Sequence, residues 1–206
     1  MYVPKHFAET DVARLHALMR AHAFATLVSV TDGAPFATHV PLLLDAERGG
    51  FGTLVGHMAR ANPHWQAFDG SRPALAIFHG PHAYVSPRWF ASSPNVPSWN
   101  YEAVHASGAP RVLEDPSGVR ALLERSAAVF EAGAEEPWTL ASVTEKWVAG
   151  LQRGIVAFEL PIERLEGKWK LSQNKPAPDR AGVAAGLRAV GGADAIAIAA
   201  AMDALP

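Results

Sequence analysis

Short apolar runs rich in β-branched residues alternate with polar turns along the first half of the chain, which predicts paired β-strands. Such runs occupy residues 24–30, 35–44 and 51–57, and an Asp-Gly pair at 32–33 separates the first two. Asp-Gly between two apolar runs is a strong signal for a two-residue hairpin turn. Connections this short join antiparallel strands, because a parallel pair needs a crossover of about a dozen residues or more.

The same patterns predict the rest of a mainly β, α+β fold, an antiparallel barrel with peripheral helices. A short helix should begin at Pro63 with Asn62 as its N-cap. Further strands are expected over residues 74–80, 83–87, 98–108, 111–114 and 155–171. Longer helices are expected over residues 9–22, 116–132, 138–151 and 178–205, the last one broken at Gly191-Gly192.

A proline-rich stretch at residues 174–179 predicts the one domain boundary. Residues 1–175 would form the barrel domain with its inserted helices. Residues 176–206 would form an alanine-rich helical tail.

Composition and charge narrow the class of protein. Of the 206 residues, 49% are hydrophobic and 18% are charged, which excludes an intrinsically disordered chain. The formal net charge of -2 supplies no global positive field for a polyanion such as DNA. The absence of cysteine excludes disulfides, thiolate metal sites and cysteine nucleophiles. No apolar run approaches the length of a membrane span, so a cytoplasmic protein without membrane contact is expected.

One candidate binding stretch is GHMARANPHW, residues 56–65, where a strand ends and a short helix begins. His57, Arg60, Asn62 and His64 fall together in it. A helix N-terminus with an arginine beside it suits an anion. On spacing alone, an asparagine cap with an exposed arginine is the simpler interpretation.

A second candidate stretch is KWKLSQNK, residues 168–175. On a strand, Lys168, Lys170 and Ser172 share one face, and two ammonium groups with a hydroxyl could hold a phosphate. Lysines are also common at sheet edges, where they suppress aggregation, and this stretch taken alone favours an edge.

The strand over residues 35–44 carries polar groups on both faces. Thr38 lies on one face and His39 on the other. Pro41 has no N–H, which predicts a sheet edge or a bulge where backbone groups could meet a flat ligand. An ordinary edge strand explains the same residues, and the pattern alone favours it.

The segment over residues 97–105 joins aromatic and amide side chains. Asn100 and Tyr101, together with Trp89, could line a pocket for a planar ring. Aromatic packing in the core or at a subunit interface explains the same residues.

Neither a metal site nor a nucleophilic site is predicted. The nine histidines lack the spacings of known zinc and iron sites. No GxSxG motif is present. We therefore expect no dedicated metal and identify no catalytic residue.

Seven blocks of the sequence together resemble one family. In chain order they are MYVPKHF, FATLVS, ATHVPLLLD, GHMARANPHW, GPHAYVSPRWF, VPSWNYEAVH and LEGKWKLSQNK. These blocks are long and unusual and extend over most of the chain, to about residue 180. They resemble the PaiB-like proteins, a family of FMN-binding split barrels often described as negative transcriptional regulators.

The resemblance implies a six-stranded antiparallel split barrel, a homodimer, and FMN bound at the subunit interface. Thr38 and His39 would border the flavin ring. Arg60 would pair with the phosphate, since arginine binds phosphate through charge-assisted and often bidentate hydrogen bonds. The residues that the resemblance assigns to the cofactor are Thr38, His39, His57, Arg60, Asn62, Asn100, Tyr101, Lys170, Ser172 and Gln173.

Three functions are compatible with these residues. The first is a flavin-dependent redox or sensing protein acting in regulation, in which the flavin carries the chemistry. The second is a negative transcriptional regulator that binds DNA directly. The tail is a poor surface for phosphate neutralisation, because it has only Arg180 and Arg188 against three aspartates. The third is a haem-binding or haem-degrading protein, as some related split barrels are, although no axial ligand stands out.

Overall fold

The computed structural model describes residues 1–205. Its strands are β1 Ala8–Glu9, β2 Phe24–Thr31, β3 Ala34–Asp45, β4 Thr53–Ala59, β5 Ala74–Val85, β6 Ser98–Gly108, β7 Arg111–Val112, β8 Ile155–Pro161 and β9 Arg164–Lys170. Its α-helices are α1 Val12–Ala21, α2 Pro116–Phe130, α3 Glu145–Gly154, α4 Ala177–Val190 and α5 Ala193–Asp203. Short 3₁₀ helices occupy Lys5–Phe7, Pro63–Ala67, Pro87–Trp89 and Leu140–Ser142.

The strands are hydrogen-bonded in the order β1-β9-β6-β5-β2-β3-β4-β8-β7. Over residues 1–205 this is a nine-stranded series with β1 and β7 at its two ends, so the expectation of six strands is wrong. Strands β1 and β7 have two residues each, which is too short to leave a periodic pattern in the sequence. The run at 155–171 also divides into two strands, whereas 74–85 is one continuous strand instead of two.

Strands β2 and β3 form the hairpin that the Asp-Gly pair predicts. Asp32 and Gly33 have φ angles of 52° and 77°. A turn with two positive φ angles matches the twist of the flanking strands, and Asp-Gly adopts it readily. Residues 34–41 pair with β2, and pairing with β4 begins at Leu42. Pro41 therefore lies just before β3 gains its second neighbour, a place that suits a residue without an N–H.

Helices α1, α2 and α3 each begin at a capping side chain. Asp11 accepts a hydrogen bond from the backbone N–H of Ala13 at the start of α1. Helix α3 begins at Glu145, later than the sequence predicts, because Thr144 caps it and a 3₁₀ helix precedes it. No helix within residues 1–205 is long and apolar enough to cross a membrane.

The chain forms two compact units. The first contains Met1–His22, Phe78–His105 and the chain from Glu166 onward. The second contains Ala23–Ile77 and Ala106–Leu165. The alanine-rich tail thus groups with the first unit, and the domain boundary at residue 175 stays a prediction.

The second unit packs α2 against its sheet. The core there joins Leu43 on β3, Val55 on β4 and Ala157 on β8 to Val119 and Leu122 on α2. The two helix residues are three positions apart and therefore lie on one face. Burying a side chain of this size contributes about 1.5–3 kcal/mol.

A buried carboxylate joins three segments of the second unit. Glu159 on β8 is 3% exposed and accepts hydrogen bonds from Arg48 and Arg111, each at 2.6 Å. Burial raises the pKa of Glu159, but the two guanidinium groups lower it by more, so the pKa lies below its ordinary value. Through these two ion pairs, Glu159 connects β8 to β7 and to the turn after β3.

In the first unit, two glycines allow α4 to approach Trp89. A Cβ at Gly182 would lie 2.1 Å from the backbone oxygen of Trp89, and a Cβ at Gly186 would lie 2.3 Å from its ring. Only glycine permits this approach, because protein interiors leave no room for such overlap. The chain then bends at Gly191-Gly192, as predicted, and both glycines have positive φ angles.

Candidate functional site

His64 lies at the centre of a polar cluster in the second unit. The side chain is fully buried, and both ring nitrogens have hydroxyl partners. Nε2 lies 2.8 Å from Oγ of Ser29 on β2, and Nδ1 lies 2.8 Å from Oγ1 of Thr38 on β3. Burial lowers the pKa of His64, so the imidazole is neutral at physiological pH. A neutral imidazole has one donor and one acceptor nitrogen, and two hydroxyls can serve both.

Asn62 joins the 3₁₀ helix at Pro63–Ala67 to this cluster. Its Oδ1 accepts a hydrogen bond from the backbone N–H of His64 at 3.0 Å, which confirms the predicted cap. The cap fixes the orientation of the amide, so Nδ2 faces Thr38 and donates to its Oγ1 at 3.0 Å. We refer to Ser29, Thr38, Asn62 and His64 as the hydroxyl–imidazole cluster.

Aromatic rings hold the cluster in place. Phe36 and Phe68 pack against the ring of His64 with centroid distances of 4.9 Å and 5.1 Å. Thr38 and Asn62 are half-buried, whereas the other two members of the cluster are buried. The cluster is therefore open to a ligand through Thr38 and Asn62, and closed behind them.

His39 lies on the opposite, exposed face of β3. Its Nδ1 lies 3.1 Å from Oγ1 of Thr26 on β2. Its ring stacks on that of Phe24, with centroids 6.3 Å apart and planes 28° from parallel. Phe24 is 71% exposed, so these two rings form a flat surface that a planar group could cover.

Arg60 binds two backbone carbonyl groups. Its Nε donates to the oxygen of Arg153 at 2.8 Å, and its Nη2 donates to the oxygen of Ile155 at 2.7 Å. Arg153 lies in the last turn of α3, where helix carbonyls lack intrahelical partners, and Ile155 follows the helix as the first residue of β8. The two bonds use two of the five N–H groups of an exposed guanidinium. Arg60 also lines a cavity of 490 Å³ beside Trp65. Its assignment to a phosphate stays a prediction.

His57 lies on β4, where it pairs with Ala157 of β8. Its side chain is half-buried, and burial lowers its pKa. A neutral histidine offers a phosphate no positive charge. Of the residues predicted for the cofactor in this unit, Arg60 is the one with a permanent positive charge.

In the first unit, Asn100 and Ser172 bind each other. Asn100 on β6 is 1% exposed, and its Nδ2 donates to Oγ of Ser172 at 3.1 Å. The same amide lies 3.4 Å from the sulfur of Met202 on α5, so the pair also contacts the tail. The amide of Gln173 bonds to two backbone groups at the end of β9.

Lys168 and Lys170, also in the first unit, have separate partners. Nζ of Lys170 donates to Oγ of Ser98 and to the backbone oxygen of Trp99, each at 2.5 Å. Burial, with a smaller contribution from the charge of Lys168, lowers the pKa of Lys170. Nζ of Lys168 lies 5.3 Å from the ring centroid of Tyr101, a cation–π contact.

The structure distributes the predicted residues over several local arrangements. In the second unit, Thr38 and Asn62 belong to one cluster, whereas His39, His57 and Arg60 each have their own partners. The remaining five predicted residues lie in the first unit. They are Asn100, Tyr101, Lys170, Ser172 and Gln173.

The set assigned from the sequence omits Ser29 and His64. His64 belongs to the stretch at 56–65 that the sequence marks as a candidate, and its place after the Asn62 cap is the signal for it. Ser29 lies 35 positions before His64 and carries no signal, because only the folded sheet brings the two together. Among residues 1–205, no group of three histidine, aspartate or glutamate side chains is placed to hold a metal ion.

Comparisons with known proteins agree with this architecture. The family described as "Putative FMN-binding domain" matches residues 1–164. "Protease synthase and sporulation protein PAI 2" of Bacillus subtilis is 34% identical over 182 residues, which are 87% of this chain and 85% of that protein. The flavocytochrome Anf3 from Azotobacter vinelandii has a TM-score of 0.62 and 17% identity, over 86% of this chain and 74% of its own. The FAD and heme binding protein from Mycobacterium smegmatis has a TM-score of 0.61 and 23% identity, over 90% of this chain and 80% of its own.

The fold is therefore that of the flavin-binding split-barrel proteins. Because the family match covers most of its length, the chain belongs to the family described as "Putative FMN-binding domain", that of the PaiB-like proteins. The resemblance carried by the seven sequence blocks is confirmed.

Proposed function

We propose that this protein binds FMN and acts as a flavin-dependent redox or sensing protein in regulation. Membership of an FMN-binding family supports a flavin ligand. The flavin would supply the electron-transfer chemistry when bound, and the protein would bind it and orient its ring.

The hydroxyl–imidazole cluster is the observation that carries this proposal. A flavin ring has a polar edge that needs hydrogen-bond partners held in fixed positions. Thr38 and Asn62 offer a half-buried hydroxyl and amide, and His64 behind them is fully buried. Such a fixed set of polar groups fits the edge of a flavin, and a surface hydroxyl without buried support would not.

The phosphate of FMN is proposed to bind Arg60. Its guanidinium is exposed and is oriented by its two bonds to backbone carbonyls. A guanidinium oriented in this way pairs well with phosphate oxygens. We propose His39 and His57 as further contacts in this unit. Five residues of the first unit are proposed as cofactor contacts within a homodimer: Asn100, Tyr101, Lys170, Ser172 and Gln173.

Regulation is proposed to act through the flavin and not through direct binding of DNA. The net charge of the chain is -2, which gives no general attraction for a polyanion. A haem-binding function is the second candidate, because two proteins of similar fold are described as a flavocytochrome and a FAD and heme binding protein.

Purification without added cofactor, followed by titration with FMN, FAD and haem, tests the proposal. We expect flavin bands at about 370 and 450 nm and saturation at about one FMN per chain. Thr38→Val should weaken FMN binding, because it removes a hydroxyl of the cluster at nearly constant volume. Thr53→Val is the matched control, since Thr53 is 3% exposed and bonds to a backbone oxygen outside the cluster. Haem binding without flavin binding would contradict the proposal.

A further inference from the structure

The neighbours of Thr38 determine the direction in which its hydroxyl proton points. Oγ1 of Thr38 accepts a hydrogen bond from Nδ2 of Asn62 and lies 2.8 Å from Nδ1 of His64. The cap on the backbone N–H of His64 fixes the Asn62 amide as the donor. One of the two lone pairs of Thr38 is therefore occupied, and His64 decides where the proton of Thr38 points.

The two neutral tautomers of His64 have opposite consequences. With the proton on Nε2, the ring donates to Ser29, and Thr38 donates to Nδ1 and offers a ligand only a lone pair. With the proton on Nδ1, the ring donates to Thr38, and Ser29 donates to Nε2. Both lone pairs of Thr38 are then occupied, so its own proton points away from the cluster and Thr38 becomes a donor.

Resting on the proposed function, we propose that His64 is a positioning residue for the flavin. Ser29 is buried, and donating to Nε2 gives its hydroxyl proton a partner, which favours the Nδ1–H tautomer. In that tautomer Thr38 is a hydrogen-bond donor toward the ring edge. The edge of an oxidised flavin carries carbonyl oxygens and unprotonated nitrogens, which are acceptors, against a single N–H. A donor hydroxyl is therefore the complementary partner for most of that edge.

The surroundings of His64 favour one fixed arrangement. Its ring is fully buried and packs between Phe36 and Phe68, at 4.9 Å and 5.1 Å. Turning the ring would break both bonds to hydroxyl groups, and leaving buried polar groups unpaired is unfavourable. The position of the ring is thus fixed before a ligand binds, and the tautomer alone determines which way the Thr38 hydroxyl points.

The tautomer can be observed by ¹⁵N NMR of the histidine rings in the full-length protein saturated with FMN. Signals of His64 are assigned by their absence from His64→Gln. We expect Nδ1 to be protonated and Nε2 to be unprotonated. FMN affinity is measured on the same samples by quenching of flavin fluorescence.

Ser29→Ala removes the partner of Nε2 without altering Thr38. We expect a mixture of tautomers and an FMN affinity about five- to tenfold weaker, as for the loss of one neutral hydrogen bond. Ser29→Thr retains the hydroxyl, so it should restore both the Nδ1–H tautomer and the FMN affinity of the wild type. The matched control, Thr53→Val, loses a buried hydroxyl that donates to the backbone oxygen of Arg48 at 3.0 Å. It should change neither the tautomer of His64 nor the FMN affinity.

Two results separate this inference from the proposal on which it rests. Saturation by FMN with His64 protonated on Nε2, or unchanged affinity in Ser29→Ala, would overturn the tautomer assignment and leave the FMN site intact. A protein that FMN does not saturate would overturn the proposed function, and this inference with it.

Discussion

Replacing Asn62 by aspartate changes one hydrogen bond in the hydroxyl–imidazole cluster and leaves the turn in place. Aspartate keeps an oxygen for the backbone N–H of His64, which Asn62 caps at 3.0 Å. Its second oxygen replaces the amide N–H that donates to Thr38 at 3.0 Å. A carboxylate only accepts, so Thr38 must direct its proton to the aspartate. Thr38 then no longer donates to a flavin.

The expected magnitudes follow from these two bonds. Asn62→Ala loses both, and each contributes about 1 kcal/mol, so the free energy of unfolding should fall by about 2 kcal/mol. Asn62→Asp keeps the cap and should lose less than about 1 kcal/mol. Asn62→Asp should bind FMN about tenfold or more weakly, because Thr38 no longer donates to the ring and that loss costs about the energy of one hydrogen bond.

Urea unfolding and FMN titration of the same samples separate stability from binding. Asp115→Asn is the matched control, because Asp115 caps α2 in the same unit and accepts from the N–H of Gly118 at 3.0 Å. Its FMN affinity should stay within about twofold of the wild type. If Asn62→Asp binds FMN as tightly as the wild type while Asn62→Ala loses stability as expected, the donor role of Thr38 is refuted.

Substitutions at Gly186, Glu159 and Arg60 test other parts of the account. Gly186→Ala should lower the free energy of unfolding by about 1–3 kcal/mol, because a Cβ would overlap the ring of Trp89. Gly150→Ala, at an open helical position, should raise the free energy of unfolding by about 0.5–1 kcal/mol. If thermal unfolding finds Gly186→Ala more stable than Gly150→Ala, the packing argument is wrong. Glu159→Gln should lower it by about 1–2 kcal/mol at neutral pH, since two arginines lose their charged partner. The pKa of Glu159 is lowered in the folded protein, so its contribution is present at neutral pH and is lost as the pH falls through the lowered pKa. The deficit of the variant in urea unfolding should therefore shrink as the pH is lowered into the acid range. Arg60→Ala should weaken FMN binding about tenfold, and Arg60→Lys, which keeps the charge, should recover part of it; equal affinities in all three proteins rule out the phosphate contact.

Local signals in the sequence were sufficient for the hairpin and for the cap. Asp32 and Gly33 determine their own backbone conformation, and Asn62 before Pro63 is a helix start that depends on adjacent residues only. The strand count needed more than local information. Strands β1 and β7 exist because partners far along the chain complete their hydrogen bonds, and two residues carry no period of their own.

The candidate site shows the same division between local and distant contacts. Thr38 and Asn62 could be predicted as polar residues at a strand and at a cap, but their shared hydrogen bond depends on how β3 passes the turn. The contact of Ser29 with His64 depends on strand pairing. The bonds of Arg60 to the end of α3 depend on where that helix ends, which its own pattern places only within a few residues.

A crystal structure of the FMN-loaded protein tests the central claim most directly. The account predicts a flavin whose ring edge places an acceptor atom within about 3.2 Å of Oγ1 of Thr38, with Asn62 still capping the turn. A flavin bound away from Thr38 and Asn62, or crystals that take up no flavin at saturating FMN, would contradict it.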